Sequence, residues 1–444
     1  MRLLVWGTAV VAYVLAVVGR SALAATGVTA AQRFDVSAAQ LSLLAVLSLA
    51  VYAALQIPAG VLVDRFGARR LIAGGAVLVA VGQAVLALAP SFPLAVCGRV
   101  LAGAGDAVTF VSILRLVPTW FAPRRVPLVN QLSGILGQLG QAVSAIPLAA
   151  LVVSDGWTAA YLSAAGVTGL VAATAALVLR DGPLTHSVPA SAPASASATD
   201  RAPASDRASA SDRAWTPRDD DRSGLRAVVR SPGTRLGFWC HFASPFSGNV
   251  FGLLWGFPFL VAGEGVPTGV ARVMVSGVVM VNIVIGPLFG LVSGRFPHRR
   301  VALIAGSVVA QVLAWTVVLT WPGTVPWPVL VGLVVVLGSG GSASLVAFDV
   351  ARAAVAPSQV GRASGVVNVG GFVASLAVAG LVGVILDLQG AGAPEAWSPM
   401  VFRVAMAVHV PVALAGLVGM AIASRRVREA ARPRAVEPSS AAIR

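Results

Sequence analysis

Residues 60–70, with the sequence GVLVDRFGARR, form a short basic loop between two apolar segments. Residues 290–300 read GLVSGRFPHRR and lie in the same kind of setting. Glycine, arginine and phenylalanine recur between the two loops at a constant offset of 230 (290 − 60). The sequence therefore predicts a chain built from two related halves that follow each other in parallel.

The composition is that of a membrane protein. Hydrophobic residues make up 57% of the 444 residues, charged residues 11%, and the mean hydropathy is +0.85. Soluble domains carry about 25% charged residues, and about 20 apolar residues cross a ~30 Å hydrocarbon core as a helix. We predict twelve such spans, at residues 3–27, 41–63, 71–89, 94–118, 126–152, 157–179, 236–262, 270–292, 301–319, 329–351, 363–386 and 401–423.

These spans predict an all-α membrane protein with two six-helix bundles, at residues 1–181 and 236–423. Residues 182–235 are rich in Pro, Ala, Ser, Asp and Arg and have too few apolar residues to fold alone. We expect a disordered cytoplasmic linker there, either a plain tether or a regulatory segment, and a cytoplasmic tail at 424–444. The first span could be a signal peptide. We expect it to stay uncleaved, because removing it would leave five helices facing six.

The basic residues, all of them arginine, lie mainly in alternate loops, the linker and the tail. Arginine-rich loops usually stay in the cytoplasm. We therefore expect both termini in the cytoplasm and the chain in the inner membrane of the cell. The net charge of +15 is spread over these segments, so nucleic acid is not an expected partner. Cys97 and Cys240 lie in apolar segments, which predicts neither a disulfide framework nor a metal site.

The pattern GxLxDRxGxRR at residues 60–70 resembles the loop signature of the major facilitator superfamily, and residues 290–300 resemble a degraded second copy. Arg99, Gly103 and Gly105 resemble the family's fourth-helix motif. The resemblance implies a twelve-helix fold of two pseudo-symmetric bundles and transport by alternating access. Two residues depart from the family pattern: Ala68 replaces the first residue of the usual basic pair, and Asp106 stands where the family usually has a small residue.

The loop motif and its surroundings are candidates for a cytoplasmic gate that joins the halves in the outward-facing state. In the first half we predict an ion pair between Asp64 and Arg115. In the second half we predict that Arg295 or Arg299 pairs with Asp349. The alternative is that these charges only anchor the chain in the membrane. The candidate gate residues are Gly60, Asp64, Arg65, Gly67, Arg69, Arg115, Arg295, Arg299 and Asp349.

Three charged residues fall deep inside predicted spans, where each costs roughly 2.5–3.5 kcal/mol on insertion scales. Arg20 belongs to the first span, and Arg99 and Asp106 to the fourth. We interpret Asp106 as a proton acceptor and the arginines as a site for an anionic substrate. The alternative is an ion-pair network that only holds the two spans together.

Amide side chains inside other spans extend this candidate substrate and proton pathway. Such side chains are often interhelical contacts rather than ligand contacts. The candidates are Gln138, Asn249, Asn282 and Asn368. In the seventh span Pro245 and Gly248 predict an irregular helix.

These patterns predict a secondary transporter, a symporter that couples a small polar organic anion to protons. An alternative is a drug or metabolite efflux antiporter, which the spacing of Gly134, Gly137 and Gly140 suggests. A second alternative is a membrane sensor with the same fold and no transport. We find no catalytic triad, nucleotide-binding loop or metal-ligand spacing, so we expect no enzyme activity and no cofactor. The expected partners are the substrate, protons and the lipid bilayer, and we expect a monomer.

Overall fold

The computed structural model describes residues 1–35, 50–182, 219–391 and 397–430. These residues form helices joined by short loops, and no residue in those ranges belongs to a β-strand. Eleven described helices are long and apolar enough to cross a membrane. Large apolar side chains cover their outer faces, as at Val153 (88% exposed) and Leu177 (81% exposed). Such a surface suits lipid rather than water, so the prediction of an all-helical membrane protein is confirmed.

The helices follow the predicted spans closely. α2 is the described end of the predicted span 41–63, whose first residues lie outside the described ranges. The first half contains α1 (Arg2–Ala25), α2 (Gln56–Phe66), α3 (Ala68–Leu88), α4 (Phe92–Trp120), α5 (Val126–Ser154) and α6 (Gly156–Val178). The second half contains α7 (Pro232–Gly263), α8 (Thr268–Arg295), α9 (Arg300–Thr320), α10 (Trp327–Arg352), α11 (Val360–Leu388) and α12 (Pro399–Ala430).

α5 and α7 both contain π-helical stretches. In α7 a bend at Ser244–Pro245 precedes two π-helical stretches, Phe251–Trp255 and Phe259–Gly263. The predicted irregularity of the seventh span is therefore present. α5 contains a π-helical stretch at Ser144–Leu148, around Pro147. Proline removes a backbone donor and crowds the preceding turn, and π-helical segments often mark functional regions.

Glycines bring α3 and α4 into direct backbone contact. A Cβ atom on Gly105 would meet the Gly75 carbonyl oxygen at 2.3 Å, and one on Gly82 would meet the Gly98 carbonyl oxygen at 2.6 Å. No real side chain fits at such distances, so these positions require glycine. α3 and α4 therefore form one closely packed unit, and Asp106 follows directly after one of its contact glycines.

The two halves meet where α2 packs on α11 and α5 packs on α8. A Cβ atom on Gly365 would lie 2.3 Å from the Gln56 carbonyl oxygen, and one on Gly294 would lie 2.3 Å from the Arg124 carbonyl oxygen. We call the end of the bundle that carries Asp64 the Asp64 end, and the opposite end, which carries Arg33, the Arg33 end. The close inter-half contacts at Gly294 lie at the Asp64 end.

Two boundaries differ from the predicted ones. We predict a disordered linker to residue 235, whereas a helix covers Asp219–Arg230 and α7 begins at Pro232. This short helix is held because Val228 is buried against the second half. The tail was expected from residue 424, but α12 continues to Ala430. The rest of the linker, 183–218, and the tail from 431 lie outside the described residues.

Candidate functional site

A buried ion pair joins α1 and α4. Arg20 Nη1 lies 3.1 Å from Asp106 Oδ2, and the side chains are 25% and 1% exposed. Arg99 Nη1 donates to the Gly19 carbonyl oxygen at 2.6 Å, and its Nη2 donates to the Arg20 carbonyl oxygen at 3.0 Å. The three residues predicted to share one region of the membrane are thus close together, and Arg20 is the member that remains accessible.

The carboxylate of Asp106 has unused capacity to accept hydrogen bonds. Neither of its oxygens accepts a hydrogen bond from a described residue, so the ion pair with Arg20 is its principal stabilising contact on the described side chains. A buried carboxylate needs a cation nearby or a bound proton. In this structure Arg20 is the cation that lies beside the Asp106 carboxylate.

Two tyrosines complete the surroundings of Arg20. Its guanidinium lies over the Tyr52 ring, 5.3 Å from the centroid, and interacts with the side chain of Tyr13. Tyr13 also packs against Phe110, with ring centroids 5.3 Å apart. Sequence reasoning missed Tyr13, although it stands two helical turns before Arg20 on the same face of α1. A polar aromatic residue at that spacing was the available signal.

A chain of polar side chains crosses from one half to the other beside this pair. Asn368 Nδ2 on α11 donates to Gln56 Oε1 on α2 at 2.7 Å, and both residues are buried. Asn368 also interacts with Tyr52 and with His241. His241 Nδ1 lies 3.1 Å from the Ser344 carbonyl oxygen. The fold thus places His241 next to the inter-half contact.

The other predicted pathway residues stay within their own halves. Asn282 Oδ1 accepts from Ser342 Oγ at 2.7 Å, and Asn249 Nδ2 donates to Ser375 Oγ at 3.2 Å. Gln138 Oε1 accepts from its neighbour Gln141 at 2.5 Å, in an exposed position. None of these three contacts involves the ion pair. Asn368 is the predicted amide that the structure brings to it.

The Asp64 side chain joins the halves at one end of the bundle. Asp64 Oδ1 accepts from the backbone N–H of Gly361 and Oδ2 from that of Arg362, both at 2.8 Å. These N–H groups belong to the first turn of α11, which attracts negative charge. Arg115 Nε lies 3.5 Å from Asp64 Oδ1, so the predicted pair of Asp64 with Arg115 is present.

The remaining loop residues shape this contact. A Cβ atom on Gly60 would lie 2.3 Å from the Gly361 carbonyl oxygen. Gly67 has φ +83, a conformation that favours glycine. The Arg69 backbone N–H donates to Asp181 Oδ1 at 2.9 Å, within the same half, and Arg65 lies over the Phe66 ring, 5.3 Å from its centroid.

The predicted pairing in the second half is wrong. Asp349 pairs with Arg352 Nη2 at 2.8 Å, one turn away on the same helix. The Arg295 and Arg299 guanidiniums instead lie over the Phe296 ring, 5.7 and 5.8 Å from its centroid. A partner three residues along one helix needs no tertiary alignment, so the local contact replaces the expected one.

Comparisons with known proteins agree with this architecture. A family profile described as "Major Facilitator Superfamily" matches residues 9–271. A stretch of 120 residues is 33% identical to the nitrate/nitrite transporter NrtP of Picosynechococcus sp.. That stretch covers 27% of this chain and 22% of that protein, so the match spans only about a fifth of the relative.

Solved structures show the same fold. A variant of the E. coli fucose:proton symporter FucP superposes with a TM-score of 0.61 at 16% identity, over 93% of this chain and 98% of that one. A bacterial homolog to the human lysosomal transporter Spinster, in an inward-facing and unoccupied conformation, superposes with a TM-score of 0.58 at 18% identity, over 98% and 99% of the two chains. With the profile covering more than half of its length, the chain belongs to the Major Facilitator Superfamily of membrane transporters.

Proposed function

We propose that the chain is a proton-coupled symporter that moves a small polar organic anion by alternating access. The observation that carries this proposal is the ion pair of Arg20 and Asp106, with one member partly accessible and the other buried. Arg20 is the group that an entering anion can reach. Asp106 is the group that such an anion would displace.

Competition for Arg20 supplies the coupling. When a substrate carboxylate binds the Arg20 guanidinium, Asp106 loses its closest cation in a buried setting. An unpaired carboxylate there is costly, so Asp106 takes up a proton from water and becomes neutral. Release of the anion returns Arg20 to Asp106 and frees the proton. One anion and one proton then cross together, and their charges cancel.

Two further observations support the proposal of an anion symporter. The named relative is a nitrate/nitrite transporter, and nitrate and nitrite are small anions. The glycines that suggested an efflux antiporter have packing roles: a Cβ on Gly137 would meet the Tyr13 ring at 2.1 Å, and one on Gly140 the Val14 carbonyl oxygen at 2.3 Å. Contact between α5 and α1 thus accounts for two of the three glycines, so their spacing does not by itself favour export.

The orientation follows from the same reasoning. The arginine-rich loops lie at the Asp64 end, so we place that end in the cytoplasm of the cell that carries the protein. The contacts of Asp64 with α11 then close the cytoplasmic side. The state described here is the one that receives its substrate from outside.

The test is proton flux in proteoliposomes with a lumenal pH dye, challenged with pools of organic anions, neutral solutes or lipophilic cations. We expect proton movement with an anion pool in the unmodified protein and none in Asp106→Asn. Asp155→Asn is the matched control, because Asp155 is an exposed acid of the same half, bonded to Ser154. Proton movement with lipophilic cations alone would contradict the proposal, as would unchanged coupling in Asp106→Asn.

A further inference from the structure

A cavity of about 360 Å³ lies between the two halves at the Asp64 end. The first half contributes the loop from α4 to α5, and the second half contributes the ends of α8 and α10 and the start of α9. Three arginines from separate elements line it, Arg124, Arg300 and Arg352. Pro118 and Pro297 are among the residues that form its apolar walls.

The arginines of this cavity have N–H donors that are not used in hydrogen bonds to described residues. Arg124 is exposed, and its side chain has no hydrogen-bond or ion-pair partner among the described residues. Arg352 Nη1 is buried without a hydrogen-bond partner. Arg300 donates through Nε to the Ser293 carbonyl oxygen and through Nη1 to that of Asp349. The acid at this site, Asp349, is buried and bound by Arg352. Three arginines and one aspartate give the site a net charge of +2 (3 − 1).

The two copies of the internal repeat differ at this cavity. With the offset of 230, the position equivalent to Asp64 is Gly294 (64 + 230), which lines the cavity. In the first copy the Asp64 carboxylate binds the start of α11 and ties the halves together. In the second copy that carboxylate is absent, while Arg300, the equivalent of Arg70 (70 + 230), is present and lines the cavity. An anion from outside the chain would restore the missing negative charge at the equivalent contact.

We propose that this cavity binds a phosphate ester, and that the bound phosphate holds the Asp64 end closed. A phosphomonoester carries about −1.5 to −2 charges at neutral pH and three acceptor oxygens, which matches the surplus of two positive charges. Guanidiniums bind phosphate in bidentate geometry, and the proline walls accept the organic part. Because the lining comes from both halves, the ligand binds better when they are together, and by linkage it favours that state. The ester can be a soluble metabolite or the headgroup of an anionic lipid.

The probes are inorganic phosphate and glycerol phosphate, added at constant ionic strength to the full chain in phosphatidylcholine nanodiscs. Binding is read from the thermal unfolding midpoint. We expect the apparent Kd to rise at least tenfold in Arg124→Gln and to stay within twofold in Arg125→Gln. Arg125 is the matched control, because it is an exposed neighbour that does not line the cavity. Equal weakening in both variants would mean a diffuse basic surface and would overturn the proposal.

Conformational linkage needs a second readout. Spin labels at Arg70 and Ser358, one exposed residue from each half at the Asp64 end, report the separation of the halves in a chain with both cysteines replaced. We expect phosphate to increase the short-distance population. Binding without this increase would overturn the closing role. An Arg124-dependent increase with nanodiscs that contain phosphatidic acid, a lipid phosphomonoester, but not with soluble esters would identify a lipid headgroup as the source, and no response to either would refute the site.

Discussion

Asn368 of α11 donates a 2.7 Å hydrogen bond to Gln56 of α2, and this bond crosses the boundary between the two halves. Both side chains are buried, so the bond cannot be exchanged for one to water while the halves stay together. It lies beside the Tyr52 ring that covers Arg20. The bond therefore links the state of the interface to the surroundings of the buried ion pair.

Replacing Asn368 by leucine should weaken the interface. Gln56 would keep its buried oxygen without a donor, which costs about 1–3 kcal/mol. We expect a lower unfolding midpoint and a smaller population of the state closed at the Asp64 end, measured by spin-label distances. Asn249→Leu is the control, because Asn249 bonds Ser375 within one half. An equal change of distances in both variants would argue against the role of the bridge.

A double variant can distinguish a structural role of the Arg20–Asp106 pair from a functional one. Arg20→Gln leaves Asp106 buried without its ion-pair partner, and loss of one partner of a buried pair costs about 3–5 kcal/mol. We expect the double variant Arg20→Gln/Asp106→Asn to regain most of the thermal stability and none of the flux. Recovery of flux in the double variant would show that the pair only holds α1 and α4 together.

Asp64→Asn tests the contact with the start of α11. The amide keeps the shape of the side chain but removes the charge that faces two backbone N–H groups, a loss of up to about 2 kcal/mol. We expect the Asp64 end to open more often, read by maleimide labelling of a cysteine that replaces Val63, which is buried beside Gly361 of α11. Asp181→Asn is the control, because Asp181 accepts from the Arg69 N–H in the same half.

Gly365→Ala should block closure of the Asp64 end. Its methyl group would lie 2.3 Å from the Gln56 carbonyl oxygen, whereas a methyl group on Gly380 of the same helix would meet nothing within 4 Å. We expect Gly365→Ala to shift spin-label distances at the Asp64 end to longer values and to abolish transport. Gly380→Ala should leave both unchanged, and a similar shift in that variant would refute the explanation.

The orientation can be read in intact cells. In a chain with Cys97 and Cys240 replaced, single cysteines are placed at Ser91, at the Arg33 end, and at Ala122, at the Asp64 end. We expect a membrane-impermeant maleimide to label the first and not the second. The reverse pattern would place both termini outside and would invert the proposed direction of access.

Helix periodicity and depth were enough to predict which charged residues meet inside the first half. Arg20 and Asp106 belong to long regular helices, whose geometry converts residue number into depth. The partner of Asp349 was not predictable in the same way, because a repeat offset ignores local contacts and Arg352 lies one turn away. Asn368 and Gln56 belong to different halves, and their contact depends on how the halves pack rather than on either helix alone.

The glycine contacts between α3 and α4 fix the position of Asp106 within the first half. Asp106 follows Gly105, whose backbone lies against that of Gly75 with no room for a side chain. We expect this unit to move as one body, so the carboxylate does not travel within its own half. We expect the way in which the second half covers Asp106 to change during the cycle. In the proposed mechanism, the proton site at Asp106 therefore stays fixed relative to the first half. Movement of the second half then exposes this site to the solution on one side of the membrane or the other.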